Sequence, residues 1–194
     1  MPPDFLTTLQ TVLEHPRRLP ADQQATPAAV LVPFFESSPG EWRLLFTLRT
    51  DAVDSHKGQV SFPGGRSDPE DSNPAATALR EAREEIGLEP GAVRVIGQMD
   101  EMLTVSHYRV TPVVGVIPWP VPLWPNRKEV AEVFSVPLAW LAEPGRLEAH
   151  YRLPPGANRE IPVYYFQEFE NKVIWGHTAA ILVDLLTRLG LMGA

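Results

Sequence analysis

The sequence contains no cysteine, which excludes disulfides, thiolate metal sites and a cysteine nucleophile. It has no apolar run near the roughly 18 residues that span a bilayer. The first residues lack a basic stretch followed by an apolar one, so we expect no secretory signal. A cytoplasmic location is therefore the simplest expectation, with no contact to a membrane.

Three common nucleotide and hydrolase motifs are also absent from the sequence: the P-loop, G-x-G-x-x-G and G-x-S-x-G. Nucleotide kinases, Rossmann dehydrogenases and α/β-hydrolases therefore lack support as interpretations. The histidines do not form H-x-H or H-E-x-x-H, so a zinc site is not indicated either.

Positive charge is in short supply, with 17 Lys and Arg against 24 Asp and Glu and a formal net charge of −7. Non-specific binding to nucleic acid is therefore disfavoured. An acidic protein can still act on a small phosphate substrate when metal ions mediate the contact. The 194 residues, with 44% hydrophobic side chains, are enough for one domain with a substantial core, and we expect residues 1–194 to form it. The oligomeric state is left open, with a homodimer as the commonest assembly.

Hydrophobic spacing and turn residues predict a mixed α/β fold with a few helices around a sheet. The predicted helices are residues 4–14, 74–86, 137–141 and 178–189. The predicted strands are residues 28–35, 42–48, 60–62, 93–99, 110–117 and 130–136. A hairpin is predicted from residues 161–169 and 172–174.

The most informative segment is the helix predicted at residues 74–86, which carries Glu81, Glu84 and Glu85. At 100° per residue these carboxylates fall within about 100° of one another on one face. Like charges three and four residues apart destabilise an isolated helix. A hard divalent cation such as Mg²⁺ or Mn²⁺ would offset that repulsion, because carboxylate oxygens suit it. Alone, such a face is more often simply solvated.

The flanks of this helix favour metal binding over a solvated face. Gly64 and Gly65 let the backbone approach a ligand closely and permit unusual φ values. Arg80 lies four residues before Glu84 and can orient that carboxylate. Carboxylate-bound metal beside a backbone turn suits attack of water on a phosphate, with a glutamate as general base.

The stretch from Gly65 to residues 80–88 resembles the Nudix box of the Nudix hydrolases, Gly-x5-Glu-x7-Arg-Glu-U-x-Glu-Glu-x-Gly-U, in which U is a bulky aliphatic residue. The second half matches closely at residues 80–88, although Ala82 is small for a U position. The first half departs from it, because the early acidic position holds Asp71, separated from Arg80 by eight residues.

The chain also resembles one subgroup of that family, the coenzyme A pyrophosphatases. This narrower resemblance lies at residues 48–50 and 56–65, which precede the box and reach its first glycine. Further similarity lies at residues 110–115, 129–138 and 174–179. Asp54 stands where that subgroup usually has a second arginine.

The resemblance implies an α/β/α sandwich around a mixed sheet, with the box at about residues 65–88 as a loop–helix–loop. It implies metal-dependent cleavage of the diphosphate of coenzyme A, giving 3′,5′-adenosine bisphosphate and 4′-phosphopantetheine. Glu81 and Glu85 would be the principal ligands of Mg²⁺ or Mn²⁺. Glu84 would be a third ligand or activate water, Arg80 would orient the glutamates, and the Gly65 carbonyl would add a ligand. The substrate contacts that it implies are Arg49, His56, Gly58, Gln59 and Gly64.

Two alternatives stay open: a pyrophosphatase for another nucleoside diphosphate derivative, such as ADP-ribose or a dinucleotide, and a non-catalytic nucleotide-binding module. The second expects loss of the glutamates, and all three are present. The roles of Glu129 and Glu132 are open as well, because each could pair with a neighbouring cation or approach the metal.

Overall fold

A computed structural model describes residues 5–20, 24–50, 58–153 and 158–192. Its helices are α1 Phe5–Thr11, α2 Pro74–Ile86, α3 Leu138–Leu141 and α4 Gly176–Arg188. The first strands are β1 Thr26–Ser38, β2 Glu41–Arg49, β3 Val60–Ser61, β4 Gly64–Arg66 and β5 Arg94–Gln98. The remaining strands are β6 Met102–Leu103, β7 Tyr108–Val116, β8 Val130–Pro137, β9 Leu147–Arg152 and β10 Ile161–Phe166.

Within these residues, strands β1 to β8 form one mixed sheet. Its main path runs β3-β2-β1-β7-β5, with β4 also paired to β1, β6 to β7 and β8 to β2. The pair β1–β7 is parallel, and the other pairs in this sheet are antiparallel. Strands β9 and β10 form a separate antiparallel pair.

Strand β1 divides the hydrophobic core between the two faces of the sheet. Successive side chains on a strand point to opposite faces. Leu31 and Phe35 pack in the cluster that contains the buried residues of α2, whereas Val32 and Phe34 pack in the cluster that contains α1 and α4. Helices therefore cover both faces, which confirms the predicted α/β fold with a mixed central sheet.

Helix α2 begins and ends as the sequence predicts. The side chain of Asn73 accepts a hydrogen bond from the backbone N–H of Ala76, and Pro74 occupies the first turn. Gly87 ends the helix in the left-handed conformation, with φ 68°. Ala82 and Ile86 are fully buried on the side that faces the sheet.

Other predictions need correction. Helix α1 ends at Thr11 rather than at residue 14. The main partner of β10 is β9, which the sequence pattern did not predict, whereas the expected turn survives only as single bridges such as Phe169 to Lys172. Strands β4 and β6 were also unpredicted, because two or three residues carry no usable periodicity.

None of the helices formed by the described residues combines the length and the apolar character needed to cross a bilayer.

Candidate active site

Gly64 and Gly65 lie in strand β4, directly between β1 and helix α2. A Cβ on Gly64 would stand 2.4 Å from the carbonyl oxygen of Ala29, and one on Gly65 would stand 2.6 Å from the carboxylate of Glu81. Neither glycine has a positive φ. Glycine is therefore not required here for its range of φ values. A side chain at residue 64 would meet the backbone of β1, and one at residue 65 would displace the carboxylate of Glu81.

Glu85 is the most deeply buried acidic group in the described structure, with 4% of its surface exposed. Its Oε2 accepts a hydrogen bond of 3.2 Å from the backbone N–H of Gly64. The Arg49 guanidinium lies 3.6 Å from Oε1. Burial raises the pKa of Glu85 to about 7, and the charges of Glu81 and Glu129 add to the rise. The Gly64 and Arg49 contacts oppose that rise without cancelling it.

Arg80 connects the other two glutamates. Its Nη1 donates to Glu81 Oε1 at 2.9 Å and to Glu84 Oε2 at 3.3 Å. The carboxylate of Glu84 is largely exposed, whereas that of Glu81 is mostly covered. Burial raises the pKa of Glu81, and the Arg80 hydrogen bond opposes that shift. Arg80 therefore contacts both carboxylates directly, and its role in orienting them stays a prediction.

The remaining hydrogen-bond capacity of Arg80 is directed toward the loop before α2. Its Nε and Nη2 donate to the two oxygens of Asp71 at 3.1 and 3.0 Å, and Nη2 also donates to the carbonyl of Arg66. Asp71 further accepts from Thr77 Oγ1 and from the backbone N–H of Asp68. The Arg80 guanidinium lowers the pKa of Asp71 to about 2. Asp71 thus anchors Arg80, although the sequence spacing left this early acidic position uncertain.

The donor set fits a divalent cation by its chemistry. Glu81 and Glu85 are carboxylates whose pKa values are raised mainly by burial, and the contacts with Arg80 and Arg49 oppose that rise only in part. Oxygen donors of this kind suit Mg²⁺ or Mn²⁺. Among the residues described, however, no three acidic or histidine side chains stand together as a ready-made metal site. Glu81 and Glu84 are instead held by Arg80.

Four of the predicted substrate contacts lie within the described residues: Arg49, Gly58, Gln59 and Gly64. The Nε of Arg49 is buried and has no hydrogen-bond partner within the described structure. Gln59 is joined to it, since its carbonyl accepts the Arg49 backbone N–H at 3.0 Å. Gly58 lies in the adjoining exposed turn. His56, like Asp54, lies outside the described residues.

The structure separates the two acidic residues whose roles the sequence left open. Glu129 is close enough to Glu85 for its charge to raise the pKa of that carboxyl. Glu132 instead forms an ion pair of 3.1 Å with Lys172. Of the two, Glu129 belongs to the surroundings of the candidate site.

Comparisons with known proteins indicate the family of the chain. The NUDIX domain model matches residues 25–156. The protein named uncharacterized Nudix hydrolase NudL from Yersinia enterocolitica is 37% identical over 191 residues, covering 97% of this chain and 93% of the relative. The protein of the same name from Yersinia pestis is 38% identical over 164 residues, covering 84% and 80%.

A crystal structure of a MutT/nudix family protein from Enterococcus faecalis is similar in fold, with a TM-score of 0.55. It is 14% identical, and the match covers 98% of this chain and 70% of that one. The residues matched by the family model and the identity to NudL show that the chain belongs to the Nudix hydrolase family. Nudix hydrolases act on nucleoside diphosphate derivatives and generally use divalent metal ions, typically Mg²⁺ or Mn²⁺.

Proposed function

We propose that this Nudix hydrolase cleaves the diphosphate of coenzyme A or its derivatives, giving 3′,5′-adenosine bisphosphate and 4′-phosphopantetheine. The upstream segment that resembles the coenzyme A subgroup ends in β4, where Gly64 donates to Glu85. The same segment contains Arg49 near its beginning.

Arg49 is the observation that carries this proposal. Its guanidinium lies 3.6 Å from Glu85, while its buried Nε has no acceptor among the described residues. A buried donor without a partner is unfavourable by about 1–3 kcal/mol. A diphosphate oxygen beside Glu85 would satisfy it, and Arg is well suited to bind phosphate because its guanidinium donates several hydrogen bonds in one plane.

The chain's own residues take the following roles in this proposal. Glu81 and Glu85 hold the divalent cation, with the Gly65 carbonyl as a further ligand, and Arg80 keeps Glu81 in place. The bound cation would lower the pKa of water, neutralise the phosphate and stabilise the leaving oxygen. Glu84 is a further ligand or accepts the proton of the attacking water. The water oxygen bonds to phosphorus as the bridging P–O bond breaks.

Incubation of the protein with coenzyme A, ADP-ribose and NADH in Mn²⁺, followed by separation of the products, tests the proposal. We expect 3′,5′-adenosine bisphosphate from coenzyme A. Turnover of ADP-ribose without turnover of coenzyme A would overturn the substrate assignment. Absence of turnover with all three would overturn the enzymatic proposal and favour a nucleotide-binding module.

The role of Arg49 is tested by R49A, with R94A as the matched control because Arg94 is an exposed arginine in β5, which is separated from β2 by β1 and β7. We expect KM for the substrate to rise by about tenfold or more in R49A, since a hydrogen bond to a charged group contributes about 1.5–3 kcal/mol. R94A should match the wild type. An unchanged KM in R49A would remove Arg49 from the substrate site.

A further inference from the structure

Strand β9 is an open edge of the two-stranded sheet that it forms with β10. On its far side β10 contacts the segment before α4, since the N–H of Phe166 donates to the carbonyl of Ile174 at 2.8 Å. Within the ranges that the structure describes, no strand pairs with the other side of β9. An open edge strand presents backbone N–H and C=O groups that can pair with another chain.

The backbone groups of every second residue of β9 point to this open side. Gln167 donates its N–H to the carbonyl of Arg146 at 2.7 Å, and this pair continues the register in which Glu148 lies opposite Tyr165. Hydrogen-bonded pairs recur at every second residue of an antiparallel ladder. The backbone groups that face away from β10 are therefore those of Leu147, Ala149 and Tyr151.

Large apolar side chains are exposed at one end of this edge. Tyr151 is 65% exposed and Leu153 is 58% exposed. Ile161, which lies opposite Arg152 on β10, is 42% exposed. Soluble proteins usually protect an edge strand that carries exposed apolar groups, because such an edge associates with other strands. The exposure favours a partner strand on the open side of β9.

The charged side chains of β9 match a second copy of the same strand. Glu148, His150 and Arg152 are exposed and lie on one face, because side chains alternate along a strand. Two copies of β9 can pair antiparallel about a two-fold axis at His150. Glu148 of each copy then lies opposite Arg152 of the other. The outward backbone groups match as well, since Ala149 of one copy lies opposite Tyr151 of the other.

The two neighbouring registers fit less well. A two-fold axis at Ala149 places Arg146 of one copy opposite Arg152 of the other, and like charges directly opposite each other are destabilising. An axis at Tyr151 places Arg152 opposite His150, which offers it no carboxylate. Of these three registers, the one centred on His150 alone gives two pairs of opposite charge.

We propose that β9 is a homodimer interface, in which two copies of this chain join their β9 strands antiparallel about His150. The result is a four-stranded sheet in the order β10, β9, β9, β10. Hydrogen bonds between the main chains supply affinity, and the side chains at alternate positions fix the register. Tyr151 and Leu153 of each copy then lie beside Ala149 and Leu147 of the other. This interface is separate from the proposed substrate.

Charge reversal tests the interface, with the dimer dissociation constant measured by sedimentation velocity of the full chain over a concentration series. E148R and R152E each create two pairs of like charge, so we expect either change to raise the dissociation constant by about tenfold or more. The double variant E148R/R152E should dimerise like the wild type. E168R is the matched control, because Glu168 is an exposed glutamate outside β9, and it should leave dimerisation unchanged.

A mixture of the two single variants tests the register. E148R and R152E should dimerise with each other although neither dimerises well alone, because opposite charges then face each other at both positions. A wild type that stays monomeric at every concentration would overturn the proposal. A dimer that neither single variant weakens would place the interface elsewhere and overturn it too. A mixture no more dimeric than its components would reject the register centred on His150.

The lack of cysteine permits a second measurement, by disulfide cross-linking. Residue 150 of the two copies forms a non-hydrogen-bonded pair with a Cα separation of about 4.5 Å, within the range of about 4.4–6.8 Å for a disulfide. We expect mild oxidation of H150C to give a covalent dimer on a non-reducing gel. I161C is the control, because three strand spacings of about 4.8 Å separate its two copies by at least about 14 Å.

Equal cross-linking of H150C and I161C, or none in H150C, would contradict the pairing of β9 with itself. Neither sedimentation nor cross-linking uses metal or substrate. Failure of these tests therefore rejects the interface, whereas failure of the product assay rejects the proposed function.

Discussion

The pKa values of two carboxyl groups at opposite ends of the acidic site are shifted in opposite directions. Before α2, Asp71 receives two hydrogen bonds from Arg80, and its pKa falls to about 2. In the last turn of α2, Glu85 is buried, has a single Arg49 contact at 3.6 Å, and its pKa rises to about 7. Arg80 thus outweighs the effect of burial at Asp71, whereas Arg49 and Gly64 oppose it only in part at Glu85.

This difference distinguishes structural acids from those available to a ligand. A buried charge is tolerated when it is paired and hydrogen-bonded. Asp71 meets that condition and serves to fix Arg80. Glu85 meets it only in part, and so it retains capacity for a cation that the chain itself does not provide.

Removing the charge of Glu85 should have the largest effect. We expect E85Q to lower turnover with Mn²⁺ by more than about 100-fold, the upper range for residues that only support a ligand. The fold should remain intact, because glutamine has the same shape and can still accept from Gly64. Product assays and circular dichroism check this. Near-wild-type turnover would remove Glu85 from the metal site.

Alanine substitutions at the two glycines of β4 test the packing beside Glu81 and Glu85. A methyl group at Gly65 would displace the Glu81 carboxylate, so G65A should weaken Mn²⁺ binding by about tenfold or more. A methyl group at Gly64 would meet the backbone of β1, so G64A should lower the free energy of unfolding by about 1–3 kcal/mol. Urea unfolding and Mn²⁺ titration separate the effects. Equal Mn²⁺ affinity in G65A and the wild type would contradict the contact with Glu81.

Weakening the contact between Asp71 and Arg80 should affect the free energy of unfolding more than the turnover rate. D71N removes the charge opposite Arg80, and we expect the free energy of unfolding to fall by about 1–3 kcal/mol. R83A is the control, because Arg83 forms only an exposed ion pair with Glu89 at 3.5 Å. If D71N were no less stable than R83A in urea, Asp71 would not be the anchor of Arg80.

The contributions of Glu85 and Asp71 to the stability of the metal-free protein should depend on pH in opposite ways. Folded Glu85 binds its proton more tightly than in the unfolded chain, so its contribution to stability falls as pH rises from about 4.5 through 7. The slope is at most about 1.4 kcal/mol per pH unit. The contribution of Asp71 is present above about pH 4 and is lost as pH falls through 2.

Urea unfolding in EDTA at pH 5 and pH 7 checks the Glu85 part. The wild type should lose stability relative to E85Q between these two pH values, and Mn²⁺ should reduce the loss. An identical change in the two proteins would show that Glu85 does not titrate in this range.

Much of the site could be predicted because its signals are local. Asn73, Pro74 and Gly87 mark the ends of α2 through caps that act within a few residues. The contact between Arg80 and Glu84 follows from helical spacing in the same way.

Other parts depend on contacts that are distant in sequence. The reason for glycine at residues 64 and 65 is the approach of β1 and Glu81, and no local pattern reveals either. The bond from the Asn126 amide to the carbonyl of Glu85 likewise depends on α2, which lies about forty residues earlier. The pairing of β9 with β10 was missed for a similar reason.

The backbone N–H groups of Trp124 and Asn126 donate to the carbonyls of Ile86 and Glu85 at the end of α2, both at 2.8 Å. This attachment has a consequence for hydrogen exchange. The amides of Trp124 and Asn126 can exchange only when their bonds to Ile86 and Glu85 open. A Cβ on Gly87 would stand 2.9 Å from the Trp124 nitrogen, so this segment lies directly against the helix end. The exchange rates of these two amides therefore report how often the last turn of α2 separates from its support, at the residue that carries the buried carboxylate.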